Sequence, residues 1–200
     1  MKLQADYKKD GRWVQRGFIG DKYTWTVSGV AWNNIKERCT PNGATQSREP
    51  TYVGCKNLFK DFESFVEWHQ LQIGYGLGYQ LDSDILRNGE KIYSPETCVL
   101  IPPALNKFLQ SYKGKRGKWP QGIYETKGRL CCRIGAFGMC TILGYFDKSD
   151  VMRAVQLYTE HKNAAAKVWC DKLKNEYIID PRVIDYMEQW TYQCDWISHE

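Results

Sequence analysis

Histidine is scarce in this chain: there are three in 200 residues, at positions 69, 161 and 199. Few side chains are therefore available to change charge near neutral pH or to serve as imidazole bases. Cysteine is not scarce, but no Cys-x-x-Cys pair occurs among the eight, so a zinc knuckle is not expected and a structural zinc is left out of the reading. Cys131 and Cys132 are neighbours on a predicted strand and point to opposite faces, so they cannot hold one ion together. The opening residues "MKLQADYKKD" contain no apolar stretch of the signal-peptide kind, and no later apolar run is long enough to span a bilayer. The expectation is a soluble, unexported chain with no membrane partner and with reduced thiols serving mainly as small core residues. Low-complexity tracts and internal repeats are also missing. Charge of one sign does not dominate either: 28 Lys and Arg against 23 Asp and Glu leave +5, so a polyanionic partner would be met by local clusters rather than by the total.

What is present is an apolar fraction of 42%, with thirteen Tyr and eight Trp, enough for one large domain or two small ones. In residues 1–27, "GRWVQRGFI" and "KYTWTV" read as short strands. "SGVAWNNIKERC" then reads as a helix, with Ser28 as N-cap and Val30, Ala31 and Ile35 at helical spacing. A polar loop follows from Thr40 to Pro50. "LFKDFESFVEWHQLQIG" gives the clearest helical pattern, placing Leu58, Phe62, Phe65, Val66 and Leu71 on one face, with His69 on its polar, exposed or interfacial side. Gly74, Gly76 and Gly78 end it.

The next stretch, "YQLDSDILRNGEKI", carries two aspartates two positions apart. On an extended segment Asp82 and Asp84 share one side while Leu81, Ser83 and Ile85 take the other. Asn88-Gly89 signals a tight turn. "YSPETCVLIPPALNKFL" follows as a capped turn, a returning strand at Cys98–Ile101 and a helix opened by Pro103 that carries Asn106. In such a strand, loop, strand, helix unit, a strand acid and a helix amide can converge on a hard divalent ion such as Mg²⁺, which takes oxygen ligands and keeps waters for a phosphate. One such ion stabilises the leaving oxygen when a phosphodiester is cut. Two acids beside a turn also suit a plain solvated strand face, and an isolated helix Asn suits a local backbone cap.

Residues 111–119 form a basic, glycine-spaced linker in which Lys113, Lys115, Arg116 and Lys118 fall close together. Beyond it, "QGIYET", "GRLCCRIGAF" and "CTILGYF" read as three strands joined by glycine turns. A helix capped at Asp147–Ser149 runs to about Asn175, and a shorter one starts at Pro181 and ends near Trp190.

"YSPETCVLIPPALN" after "LDSDIL" resembles the phage HNH-type homing endonucleases, in the variant with an acidic strand and a "YSPE-(T/N)-C" loop. "WNNIKERC" and "YVGCKNLFKDFESFVEWHQLQIGYG" resemble the same family's Trp…Arg-Cys helix and Cys…Phe…Phe segment, so the likeness covers roughly Val27–Leu109. It implies a ββα-metal module over 28–110, with Asp84 or Asp82 as strand metal ligand, Asn106 as helix ligand, and Mg²⁺ or another divalent cation as cofactor. The family's general base, a histidine beside the strand acid, is missing: Ser83 and Ile85 flank Asp84, and Tyr93 stands where the middle Asn belongs. Asp82 takes the base's part in this reading, with His69 a minor alternative. Cys39, Cys55 and Cys98 match family cysteines and are expected to lie close together, buried by packing.

"PQGIYETKGRLCCRIGAFGMCTILGYFDKSDVMRAVQLY" is similar to the ethylene-responsive-factor type of DNA-binding domain, here over 120–200. That family lays a three-stranded sheet in the major groove. The likeness implies DNA contact through Lys127, Arg129 and Arg133, with the linker bases on phosphates; Arg129, Cys131 and Arg133 share one strand face, while Leu130, Cys132 and Ile134 face the helix. The expectation is an α+β chain of two modules after an N-terminal extension (1–27): a Mg²⁺-dependent, phage-encoded endonuclease acting on double-stranded DNA in the cytoplasm of an infected bacterial host. The alternative is a catalytically inactive DNA-binding protein that retains the nuclease fold.

Overall fold

The structure is a computed structural model, and it describes residues 3–87, 90–110 and 118–195. It is a mixed α+β fold with small, mostly antiparallel sheets. The chain divides into two compact units, Met1–Pro102 with Ile178–Val183, and Pro103–Tyr177 with Ile184–Glu200. The division falls before the predicted linker and places Asn106 in the second unit, because Phe108 packs its ring against Trp169 and Trp190 there. Most of that linker, with Lys113, Lys115 and Arg116, lies outside the described residues, as does the Asn88-Gly89 turn. No helix among the described residues is long and apolar enough to cross a membrane.

The first unit opens with two hairpins. β1 (Lys8–Lys9) pairs with β2 (Arg12–Trp13), and β3 (Arg16–Ile19) with β4 (Lys22–Trp25). Asp10 and Gly11 both take positive φ between β1 and β2, as a two-residue turn matched to strand twist requires. Helix α1 (Val27–Cys39) follows. Its N-cap is Thr26, not Ser28: the Thr26 hydroxyl accepts from Gly29 N at 3.0 Å and donates to the Val14 carbonyl at 2.9 Å. The cap thereby also ties the hairpins to the helix. The predicted loop after α1 contains a short helix, α2 (Ala44–Arg48). The buried Gln46 side chain holds it by donating to the Arg38 and Tyr52 carbonyls at 3.0 and 3.2 Å.

Helix α3 is Phe62–Gln70, shorter than the pattern from Leu58 to Leu71 suggests. Asp61 starts it with a reciprocal capping box to Ser64, a stronger start signal than the apolar spacing. Leu58 and Leu71 lie outside the helix and are exposed. Its inward face joins Trp32, Ile35, Phe59, Tyr93 and Cys98 in one core. Two small sheets complete the unit: β5 (Lys56–Asn57) parallel to β7 (Ile92–Tyr93), and β6 (Gln80–Asp82) antiparallel to β8 (Val99–Ile101).

The second unit begins with α4 (Pro103–Leu109) and contains the sheet β9 (Ile123–Thr126), β10 (Arg129–Ala136) and β11 (Met139–Phe146), in the order β11-β10-β9. Leu130, Cys132 and Ile134 pack against Ala154 and Tyr158 of the long helix α5 (Val151–Glu176), as the alternation predicts. The register passes from Cys132↔Gly144 to Arg133↔Ile142, so Leu143 is the extra residue of a bulge and packs on this core. Helix α6 (Pro181–Gln189) closes the described elements.

Gly122 combines a φ of +81° with a close approach: a Cβ there would lie 2.0 Å from the Tyr158 ring. Tyr158 is buried and cannot retreat cheaply. Gly122→Ala is expected to destabilise the protein by about 2 kcal/mol, combining left-handed strain with overpacking. Urea denaturation checks this, and an unchanged midpoint would show that the ring does move.

Candidate functional site

The acids of the first unit sit where β6 ends. The strand stops at Asp82 and the chain bends through 83–86, so Asp84 is not on a strand and the two carboxylates do not share a strand face. The reason is local. Asp82 Oδ1 accepts from the amides of Asp84 and Ile85 at 2.8 and 3.0 Å, an Asx turn that outcompetes extension. Asp82 is half-buried, while the Asp84 side chain is 66% exposed and pairs with Arg87 at 3.1 Å. Such a surface pair adds little stability.

Around this turn the core supplies polar groups from distant elements. Arg38, near the end of α1, donates to the Tyr93 hydroxyl at 3.0 Å and lies 4.9 Å from the centre of the Tyr52 ring. Burial opposes the Arg38 charge, yet Tyr93, Tyr52 and Asp84 more than offset it, so its pKa is raised. Burial, and then the neighbouring Asp84 charge, push the Asp82 carboxyl above the usual range; the two turn amides and Arg38 work against that. Tyr93 is pushed up to about 12, chiefly by burial, against Arg38 and a hydrogen bond to Ser83. Thus an arginine, two tyrosines and two acids form one electrostatic cluster.

Cys39, Cys55 and Cys98 belong to the same neighbourhood. Burial pushes Cys98 up to about 12 and Cys39 to about 11, and the lesser causes include Cys39 acting on Cys98 and Cys55 acting on Cys39. All three are free thiols. The Ser94–Thr97 turn holds β7 and β8 in place: Ser94 Oγ donates to Glu96 at 2.7 Å, and Thr97 Oγ1 donates to the Ile92 carbonyl at 2.7 Å. Among the described residues no group of three or more His, Cys, Asp or Glu side chains is arranged to hold a metal ion. Asp82 and Asp84 belong to the first unit, and the half-buried Asn106, on α4, to the second.

His69 is not exposed or interfacial: it is 3% accessible. Its Nδ1 lies 2.8 Å from Ser28 Oγ, and Ser28 Oγ donates to Asp6 Oδ2. The hydroxyl has one proton and gives it to the carboxylate, so the network assigns Nδ1–H of a neutral imidazole as the donor to Ser28. Asp6 also accepts from Ser28 N at 2.9 Å and from the Tyr75 hydroxyl at 2.6 Å. These residues are Ser, His and Asp, but the serine stands in the middle and its proton points away from the imidazole. That is the reverse of an activated nucleophile. The cluster anchors the N-terminal segment to α1 and α3, and it removes His69 as a general base. His161 is exposed on α5 and His199 lies outside the described residues.

In the second unit, the sheet face turned away from α5 carries Tyr124, Arg129, Cys131, Arg133, Ile142 and Tyr145. The register sets Cys131 between Tyr124 and Tyr145, and Arg133 opposite Ile142. Arg133 lies over the Tyr124 ring at 4.0 Å. Arg129 pairs with Asp147 at 3.4 Å, both well exposed, and reaches the Tyr145 carbonyl. Lys127, with φ of 49°, sits at the β9–β10 turn rather than on a strand. Lys118 is exposed beside the linker, 5.0 Å from the Trp119 ring centre. The Arg129 and Arg133 side chains thus stand on one sheet face, interleaved with exposed aromatic and aliphatic groups.

Lys162 carries no sequence signal of its own. It falls in the buried stripe of α5, donates to the Phe108 carbonyl and lies 3.6 Å from the Phe108 ring centre. Burial pushes its pKa down to about 8. It caps the end of α4 from inside the second unit and has no part in either candidate site.

Comparison with protein-family models, with curated proteins and with solved structures returned no match to this chain.

Proposed function

We propose that this protein is an HNH-like, phage-type DNA endonuclease whose second unit addresses double-stranded DNA and whose first unit carries the hydrolytic site. The observation that carries the addressing step is the outer face of the sheet. Arg133 over Tyr124, with Arg129 further along the same strand face, offers forked donors on a backbone that does not yield, the arrangement suited to base edges or phosphates in the major groove. The linker bases Lys113, Lys115, Arg116 and Lys118, with Lys127 at the turn, supply phosphate contacts.

For the hydrolytic step, the fit of a divalent cation rests on the Asp82–Asp84 pair. Burial, and then the charge on Asp84, raise the Asp82 pKa, and a hard cation would relieve the repulsion between the two carboxylates with oxygen ligands it prefers. Mg²⁺ there would supply charge stabilisation at the leaving oxygen. Asp84 would hold the ion, Asp82 would share it or take the proton of the attacking water, and Arg38 would orient a phosphate oxygen. Asn106, the helix ligand that the family likeness implies, belongs to the second unit and is not assigned to this site.

A second reading, a DNA-binding protein without cleavage, is favoured by the commitment of His69 to Ser28, which leaves the acids without an imidazole among the described residues of the first unit. Plasmid nicking with and without Mg²⁺ separates the two. If the purified protein binds no duplex at low salt, both readings fall.

The division of labour has its own expected result. Arg129→Ala or Arg133→Ala should reduce discrimination between a selected site and a scrambled duplex by about 1–3 kcal/mol. Replacing the four linker bases should weaken binding to every sequence and lower the log–log salt slope by about 0.9 for each phosphate left unneutralised. Affinities for both duplexes across a salt series check this. A linker variant that keeps the full slope contradicts it.

A further inference from the structure

The N-terminal hairpins have no place in the nuclease likeness, yet they form an open groove of about 560 Å³ with α1. That is within the range of small-ligand sites. Its walls are aromatic: Trp13, Tyr23 and Trp25, with Tyr23 60% exposed and set against Phe18 at 5.1 Å between ring centres. Its charges are Arg16, stacked 3.4 Å from the Trp25 ring centre, and Lys36, exposed on α1. No carboxylate lines it, and neither cation forms an ion pair among the described residues. Lys8, Lys9, Arg12 and Lys22 belong to the same hairpins, with the Lys8 ammonium 4.8 Å from the Trp13 ring centre; Asp10 and Asp21 lie at the hairpin turns, and Glu37 on α1 accepts from Asn33.

Aromatic planes alternating with cations, with no acid, match an unpaired nucleobase with its phosphate. The rings stack on the base and the cations take the phosphate. A duplex cannot stack on such rings, because the faces of its bases are already stacked on one another and only base edges and phosphates are presented. We propose that the groove lined by Trp13, Tyr23, Trp25, Arg16 and Lys36 binds single-stranded nucleic acid. The site belongs to the first unit alone and does not depend on the nuclease reading.

The test uses the full chain, a fluorescein-labelled oligothymidylate, the same oligomer with abasic sites, and a blunt duplex, read by anisotropy at low salt. Tyr23→Ala combined with Lys36→Ala removes exposed groups that carry no part of the core. The variant should bind oligothymidylate about tenfold or more weakly, as expected when a stacking platform is removed, and bind the duplex as wild type does. Unchanged oligothymidylate affinity in the double variant overturns the proposal. So does an equal loss for duplex, which would mark a general basic surface, or equal binding of the abasic oligomer, which would mark a phosphate site only. A wild type that neither cuts nor binds duplex, but loses oligothymidylate binding on Tyr23→Ala with Lys36→Ala, would sink the endonuclease reading and leave this one standing.

Discussion

Acidification from pH 6.5 to about 4 is expected to destabilise the protein by roughly 3 kcal/mol through His69 alone, at about 1.4 kcal/mol per pKa unit. Burial pushes the imidazole down from 6.5 to about 4, only partly offset by Asp6. Above 6.5 the ring is neutral in both folded and unfolded chains, so stability does not respond to it. Below 6.5 the unfolded chain takes up the proton while the folded one does not, so stability falls with pH until the folded ring also titrates near 4. The geometry explains the resistance. Nδ1 already donates to Ser28, and the ring lies between the Phe65 and Tyr75 rings, at 5.1 and 5.3 Å. His69→Gln keeps an amide donor for Ser28 without a titrating group. Urea denaturation followed by tryptophan fluorescence, at a series of pH values, should show a flatter slope for that variant. Equal slopes would mean that the acid sensitivity lies in the carboxylates.

Asp84→Ala is expected to abolish Mg²⁺-dependent nicking, lowering the rate by about a hundredfold or more, since removing a metal ligand forfeits several kcal/mol of charge stabilisation. Duplex affinity should stay near wild type, because the addressing face lies in the other unit. Asp82 calls for a different substitution. Asp82→Asn keeps an oxygen for the amides of Asp84 and Ile85 and so preserves the turn, while removing the charge that would hold the cation or accept a proton. It should lose nicking to a similar extent with the melting temperature little changed. A variant of either aspartate that cuts like wild type would disprove the mechanism. A wild type that binds duplex and never cuts would establish the inactive reading instead.

The parts of this protein that could be read from residue order are those whose causes are local. The three strands between Ile123 and Phe146 follow from two-residue alternation broken by Lys127-Gly128 and Phe137-Gly138, where positive φ marks the turns. The 26-residue α5 follows from an apolar stripe at Ala154, Tyr158, Ala166, Trp169 and Leu173. The exposed positions of Arg129 and Arg133 follow from the same alternation, because a half-buried sheet allows one register only. The expected common face of Asp82 and Asp84 assumed that the strand continued. A side chain bonding to its own backbone two and three residues on ended it at Asp82.

Other features arose only when distant segments met. His69 looked polar because its helix pattern is ambiguous there, and its burial is decided by Ser28 and Asp6, 41 and 63 positions away. Nothing in the order of residues pairs Arg38 with Tyr93 across 55 positions, or aims Lys162 at the Phe108 carbonyl across 54. Residues 1–27 had no reading beyond short strands, yet Thr26, Asp6 and Gln4 weave them into the first unit and raise the walls of the Trp13–Trp25 groove. Periodicity and capping chemistry act over one turn or one strand and leave a signature in the sequence. Which polar group becomes buried, and against which partner, depends on loop closure and packing between elements, and that was settled by the tertiary structure alone.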